Sequence, residues 1–164
     1  MLPEPANTAE VELIVPREAL RLSADQALRG TIFFRKGSIE FPTNDWDDFV
    51  VVLLEWWLRA LMPIVRGEEA SAEFLFMEGP YQVNVEAISP TMIVLQFFDR
   101  SKPEFLESDQ GEQTLSDLTH RLCDASDVVI DRAKGIGLQN RDLDRLQTTL
   151  AEMRVQTNRQ NSEL

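Results

Sequence analysis

Residues 44–62 read Asn-Asp-Trp-Asp-Asp-Phe-Val-Val-Val-Leu-Leu-Glu-Trp-Trp-Leu-Arg-Ala-Leu-Met and are followed by Pro63. At helical periodicity Asp48, Glu55 and Arg59 fall on one narrow stripe, and nearly everything else around the wheel is apolar. A surface helix buries a stripe, whereas a helix apolar over most of its circumference is buried on several sides. The stretch therefore predicts a central core helix from Asn44 to Met62, covered by a sheet on one side and by a second helix or a partner on the other. Thr43 or Asn44 is the expected N-cap. Asp45, Asp47 and Asp48 would place negative charge on the positive end of the dipole, and Pro63 would stop the helix.

The flanks read as strands. Val11-Glu12-Leu13-Ile14-Val15 alternates and ends at Pro16, while Thr31 to Phe41 folds about Lys36-Gly37 as a hairpin. Residues 17–29 fit either a short helix or extended chain. Downstream, Ala72–Glu78, Tyr81–Ile88 and Thr91–Phe98 are punctuated by Gly79-Pro80 and Ser89-Pro90, the pattern of an antiparallel meander. Tyr81, Val83, Val85 and Ala87 alternate with Gln82, Asn84 and Glu86, so one face is wet. Met92-Ile93-Val94-Leu95 is apolar on both faces and belongs at the centre of the sheet. Residues 99–112 are polar and read as a linker.

Beyond it Leu115, Leu118, Leu122, Ala125 and Val129 recur at helical spacing, as do Leu143, Leu146, Leu150 and Met153. The two seams share one phase, interrupted at Gly135-Ile136-Gly137. They predict one long interrupted helix or a hairpin of two, pairing either with the chain's own core or with a second copy. The expected class is α+β: an antiparallel sheet of about five strands on a central apolar helix, with residues 1–109 as an acidic domain and 110–164 as a helical extension.

Charge narrows the partners. Of a formal net charge of -12, residues 1–112 hold 9 Lys/Arg against 20 Asp/Glu, and residues 113–164 hold 7 against 8. So acidic a chain repels nucleic acid and anionic membrane and steers basic proteins toward itself. The start, Met1-Leu2-Pro3-Glu4-Pro5, shows neither the basic nor the apolar region of a secretory signal. The longest apolar run, Phe49–Met62, is too short to span a bilayer. A single cysteine, Cys123, makes no internal disulfide, as expected in the cytoplasm.

Catalytic equipment is sparse. No phosphate loop, CxxC, HExxH or nucleophile elbow occurs. A Cys–His nucleophile would have to use Cys123 and His120, three apart on one helix with no evident oxyanion hole. Asp117, Asp124, Asp127 and Asp131 form an acidic stripe there, but one helix converges too few oxygens for a tight cation site. No metal or cofactor is expected. Acidic groups also cluster at Asp45, Asp47 and Asp48 and at Glu68 and Glu69, the residues expected to meet a basic protein partner.

Phe41-Pro42, then Trp46-Asp47-Asp48-Phe49 with Trp56-Trp57-Leu58, then Phe76-Met77-Glu78-Gly79-Pro80-Tyr81, resembles small acidic bacterial immunity proteins of polymorphic or contact-dependent toxin systems. The likeness spans residues 41–88 and contains no catalytic signature. It implies a cytoplasmic, non-enzymatic protein that occludes a basic toxin. Two other readings are a dimeric secretion-type chaperone or assembly protein paired through Leu143, Leu146, Leu150 and Met153, and a small ligand-binding protein with an apolar pocket beside Trp56, Trp57 and Tyr81.

Overall fold

The computed structural model describes residues 10–102 and 110–162. β1 (Val11–Ile14) leads through a single 3-10 turn at Arg17–Ala19 into β2 (Arg21–Leu22) and β3 (Leu28–Thr31). β4 (Phe33–Lys36) and β5 (Ile39–Phe41) form the expected hairpin about Gly37, and β6 (Asp47–Asp48) precedes α1 (Val50–Val65). Then come β7 (Ser71–Leu75), β8 (Tyr81–Ala87), β9 (Met92–Asp99), β10 (Gln110–Thr114), α2 (Leu115–Gly135) and α3 (Arg141–Ser162). The class is α+β. In place of one sheet of about five strands, the described residues build three antiparallel sheets, ordered β1-β4-β5, β2-β3-β6 and β10-β9-β8-β7.

The meander forms as its alternation requires, with Val83, Val85, Ile93, Leu95 and Phe97 buried on one face. β9 is central. The expected linker needs correcting, because residues 110–114 pair with β9 as a fourth strand, Thr114 opposite Met92 and Gln110 opposite Gln96. The strand is polar because it sits at an edge, and its one inward polar side chain is used: the Gln113 carbonyl oxygen accepts the Val11 N–H at 3.1 Å. At the other end of that stretch Asp99 closes β9, and residues 103–109 lie outside the described residues.

α1 is the central element. Leu53, Leu54, Trp57, Leu58 and Leu61 are fully buried, against the sheet on one side and α2 and α3 on the other. Its ends differ from the expectation. The helix begins at Val50, not Asn44, because residues 46–48 are drawn into pairing with β3: the Trp46 carbonyl accepts from Ile32 at 2.9 Å, and Asp47 and Asp48 lie opposite Thr31 and Gly30. Nor does Pro63 stop it. Proline forfeits the bond its own N–H would have made and its ring crowds the carbonyl four residues back, costs confined here to the C-terminal end of the helix. The helix runs to Val65 and ends at Gly67, whose φ of +74° suits glycine. The Pro63 carbonyl then accepts from Glu68 and Glu69 at 2.9 and 3.2 Å.

The C-terminal seam forms a hairpin rather than one long helix. Asp127 on α2 pairs with Arg154 on α3, which requires the chain to fold back after Gly135. Leu143, Leu146, Leu150 and Met153 are buried within the chain and share a cluster with Trp57, Leu118 and Val129. Residues from both sides of position 110 thus build one hydrophobic core.

Candidate functional site

The acidic groups singled out in the sequence do not form one patch. Asp48 is fully buried. Its Oδ1 accepts the Phe49 N–H at 2.7 Å, while Oδ2 accepts the Glu78 N–H and Trp46 Nε1–H at 3.1 Å each. Loss of solvent raises its pKa above the ordinary aspartate value, and the three donors offset part of that shift. Asp48 is a structural tie. Asp47 is half-buried and paired with Arg21 at 2.6 Å and Arg29 at 3.5 Å. Asp45 stays exposed and accepts from the Thr43 hydroxyl at 2.9 Å. Glu68 and Glu69 are exposed, 20 or more residues further along the chain, beyond the C-terminus of α1.

The stripe on α2 is largely consumed within the chain. Asp117 pairs with Arg121, Asp127 with Arg154, and Asp131 with Arg17. Cys123 and His120 diverge in role as well. Burial pushes the Cys123 thiol up to about 11, so the nucleophilic thiolate is scarce at neutral pH. His120 is exposed, with Nδ1 2.8 Å from the Ser116 carbonyl oxygen. Trp57 is fully buried, stacks on Phe74 at 5.6 Å and donates to the Leu75 carbonyl at 2.9 Å. Tyr81 packs edge-on against Trp46 at 5.1 Å, and Trp56 faces outward at 36% exposure. Trp57 is filled core, Tyr81 is half-buried against that core, and Trp56 lies on the outer side of α1.

What the tertiary structure does assemble is the outer face of the four-stranded sheet. Strand alternation places Glu73, Glu86 and Glu112 there with Val94, Gln96 and Phe98. Val94 stands between Glu86 on one side and Glu112 on the other. The opposite face carries α1 and the aromatic cluster around Phe97, Phe34 and Phe41. β7, β8, β9 and β10 contain no Lys or Arg. At the end of the sheet nearest Glu86, the Ala87 N–H donates to the Ala70 carbonyl at 2.7 Å, which brings Glu68 and Glu69 alongside. There they rim a groove floored by Ile64, Val65 and Leu115 and flanked by Ile88, which is 53% exposed. The result is an acidic surface with apolar centres, spread over five separate segments of chain. Alternation in the meander hinted at the wet face, but its continuation into Glu112 depended on β10.

Among the described residues no group of three or more His, Cys, Asp or Glu side chains is placed to hold a metal ion. No helix among the described residues is long and apolar enough to cross a membrane. No family model matches the chain, and neither a curated protein nor a solved structure shows a significant match to it.

Proposed function

We propose that the protein is a non-catalytic binding module of immunity or inhibitor type, which holds a basic protein partner on the outer face of its four-stranded sheet. One observation carries this reading: four adjacent strands without a single Lys or Arg present Glu73, Glu86 and Glu112 around Val94 and Phe98. Carboxylates of one sign steer a cationic partner and set its register, while half-buried apolar groups between them supply contact energy once water leaves. Glu68 and Glu69 extend the same field past the sheet end. The high thiol pKa of Cys123 and the cis pairing of the α2 stripe favour recognition over chemistry. The helix-paired alternative needs a seam that is already buried inside the chain.

The test is a pull-down from the native cell at low salt, with the wild type beside the double variant Glu86→Lys, Glu112→Lys. A basic protein retained by the wild type, released as salt rises and lost by the variant establishes the reading. Equal retention by both proteins rejects the sheet face as the contact surface.

A further inference from the structure

The four-stranded sheet ends at β7, and the hydrogen-bond parity of that strand shows which groups it leaves open. The Phe76 N–H donates to the Tyr81 carbonyl at 3.1 Å, and the Ala87 N–H to the Ala70 carbonyl at 2.7 Å. With Phe74 opposite Val83 and Ala72 opposite Val85, the even-numbered residues therefore bond to β8. Ser71, Glu73 and Leu75 turn their N–H and C=O groups the other way. The Leu75 carbonyl confirms this direction, since it accepts from Trp57 Nε1 on α1 rather than from β8. Among the described residues no strand pairs with β7 on that side.

Alongside this edge runs a shallow depression lined by Trp56, Arg59, Ala60, Glu73 and Leu75. Arg59 is part of this lining and is engaged by Glu55 at 2.6 Å, while Glu73, exposed on β7, has no cation within ion-pair distance among the described residues. Trp56 contributes its half-exposed ring.

We propose that β7 accepts an extended segment of a basic partner as a fifth strand. This rests on the reading above that the partner is basic. An added strand would take main-chain hydrogen bonds from Ser71 and Glu73. Its residue opposite Glu73 shares the outer face and is Lys or Arg. The neighbours of that residue point to the α1 side and cover Trp56 and Ala60, so they are apolar. The recognised pattern is apolar–basic–apolar. A second copy of this chain is the wrong occupant: antiparallel self-pairing centred on β7 sets Glu73 against Glu73, and like charges directly opposite destabilise a ladder.

The experiment uses an acetylated, amidated heptapeptide of alternating valine and lysine, with amide hydrogen exchange followed by NMR on the full chain. The expected result is slowed exchange at the Ser71 and Glu73 amides. Glu73→Lys should weaken peptide binding by about tenfold, from one favourable pair lost and one repulsive pair gained. Ser71→Pro removes an outward N–H without touching the β8 ladder, and it should abolish the protection while the Trp57 fluorescence of the folded core is kept. Peptide effects confined to Glu86, Val94 and Glu112, with Ser71 and Glu73 exchanging as before, overturn edge addition and leave the sheet-face reading standing. Failure of both this peptide and every basic protein to bind at low salt overturns both. Protection of the same amides in a concentration-dependent dimer, without peptide, assigns the edge to self-pairing and overturns the proposal.

Discussion

Asp48 Oδ2 accepts the backbone N–H of Glu78 at 3.1 Å, tying the entry to α1 to the turn between β7 and β8 across 30 residues of chain. The same oxygen takes Trp46 Nε1, and Oδ1 takes the Phe49 N–H. One buried carboxylate thereby satisfies donors from three places and sets where the helix begins.

Asp48→Asn keeps the shape but replaces one acceptor oxygen by a donor, which must face either Phe49 or the Glu78–Trp46 pair. A buried donor without an acceptor costs about 1–3 kcal/mol, and that loss is expected in urea unfolding. The pH dependence has a defined sign. The folded pKa of Asp48 is raised, so the native state binds the proton more tightly than the unfolded chain. Its stabilising contribution is fully present below the ordinary aspartate pKa and disappears as pH rises through the folded value. The stability difference between wild type and Asp48→Asn should therefore be larger in acid than at neutral pH.

Gly79 and Gly67 both have positive φ, at +79° and +74°, but their surroundings differ. A Cβ at Gly79 would lie 2.9 Å from Trp46 Cη2, whereas one at Gly67 meets nothing within 4 Å. Gly67→Ala should cost about 1 kcal/mol from backbone strain alone. Gly79→Ala should cost more, because Trp46 also holds Asp48 and must shift. Thermal unfolding of the two variants side by side checks the order.

Leu146 is fully buried between α3 and the rest of the core. Leu146→Ala is expected to lose about 2–5 kcal/mol, the range for a large aliphatic deletion in a packed core. Because the residue is buried in cis, the native variant should sediment as the wild type does. A changed oligomeric state at unchanged stability would show that the seam pairs two chains.

Cys123 is buried, with its thiol pushed up to about 11 from a reference of 9.0. Thiolate is the species that reacts with disulfide reagents and alkylating agents. At pH 8 the native protein should therefore label about 100-fold more slowly than the urea-unfolded chain, a difference of about two pKa units. Labelling at equal rates would place the thiol at the surface.

The elements that were legible in the sequence are those whose signal is local. The meander from Ala72 to Phe98 was readable because alternation and the Gly79-Pro80 and Ser89-Pro90 turns act within a few residues. The apolar circumference of residues 49–62 announced a helix buried on several sides, and the spacing of Leu143, Leu146, Leu150 and Met153 announced a packed seam. Net charge and missing motifs gave the expectation of a basic protein partner, on which the proposed function rests. The acidic residues were visible too, but not their employment.

Tertiary structure decided what depends on a distant partner. Capping preference favoured a helix start at Asn44, yet pairing of residues 46–48 with β3 and the three hydrogen bonds of Asp48 outweigh one local cap. Residues 110–112 read as the end of a polar linker because an edge strand needs little apolar content, and only β9 beside them makes 110–114 a strand. Asp47, Asp48 and the α2 stripe were claimed by Arg21, Phe49, Glu78, Arg121 and Arg154, whereas Glu73, Glu86 and Glu112 were left together on one face. Sequence sets composition and period; which carboxylates remain free depends on long-range register, which local chemistry does not encode.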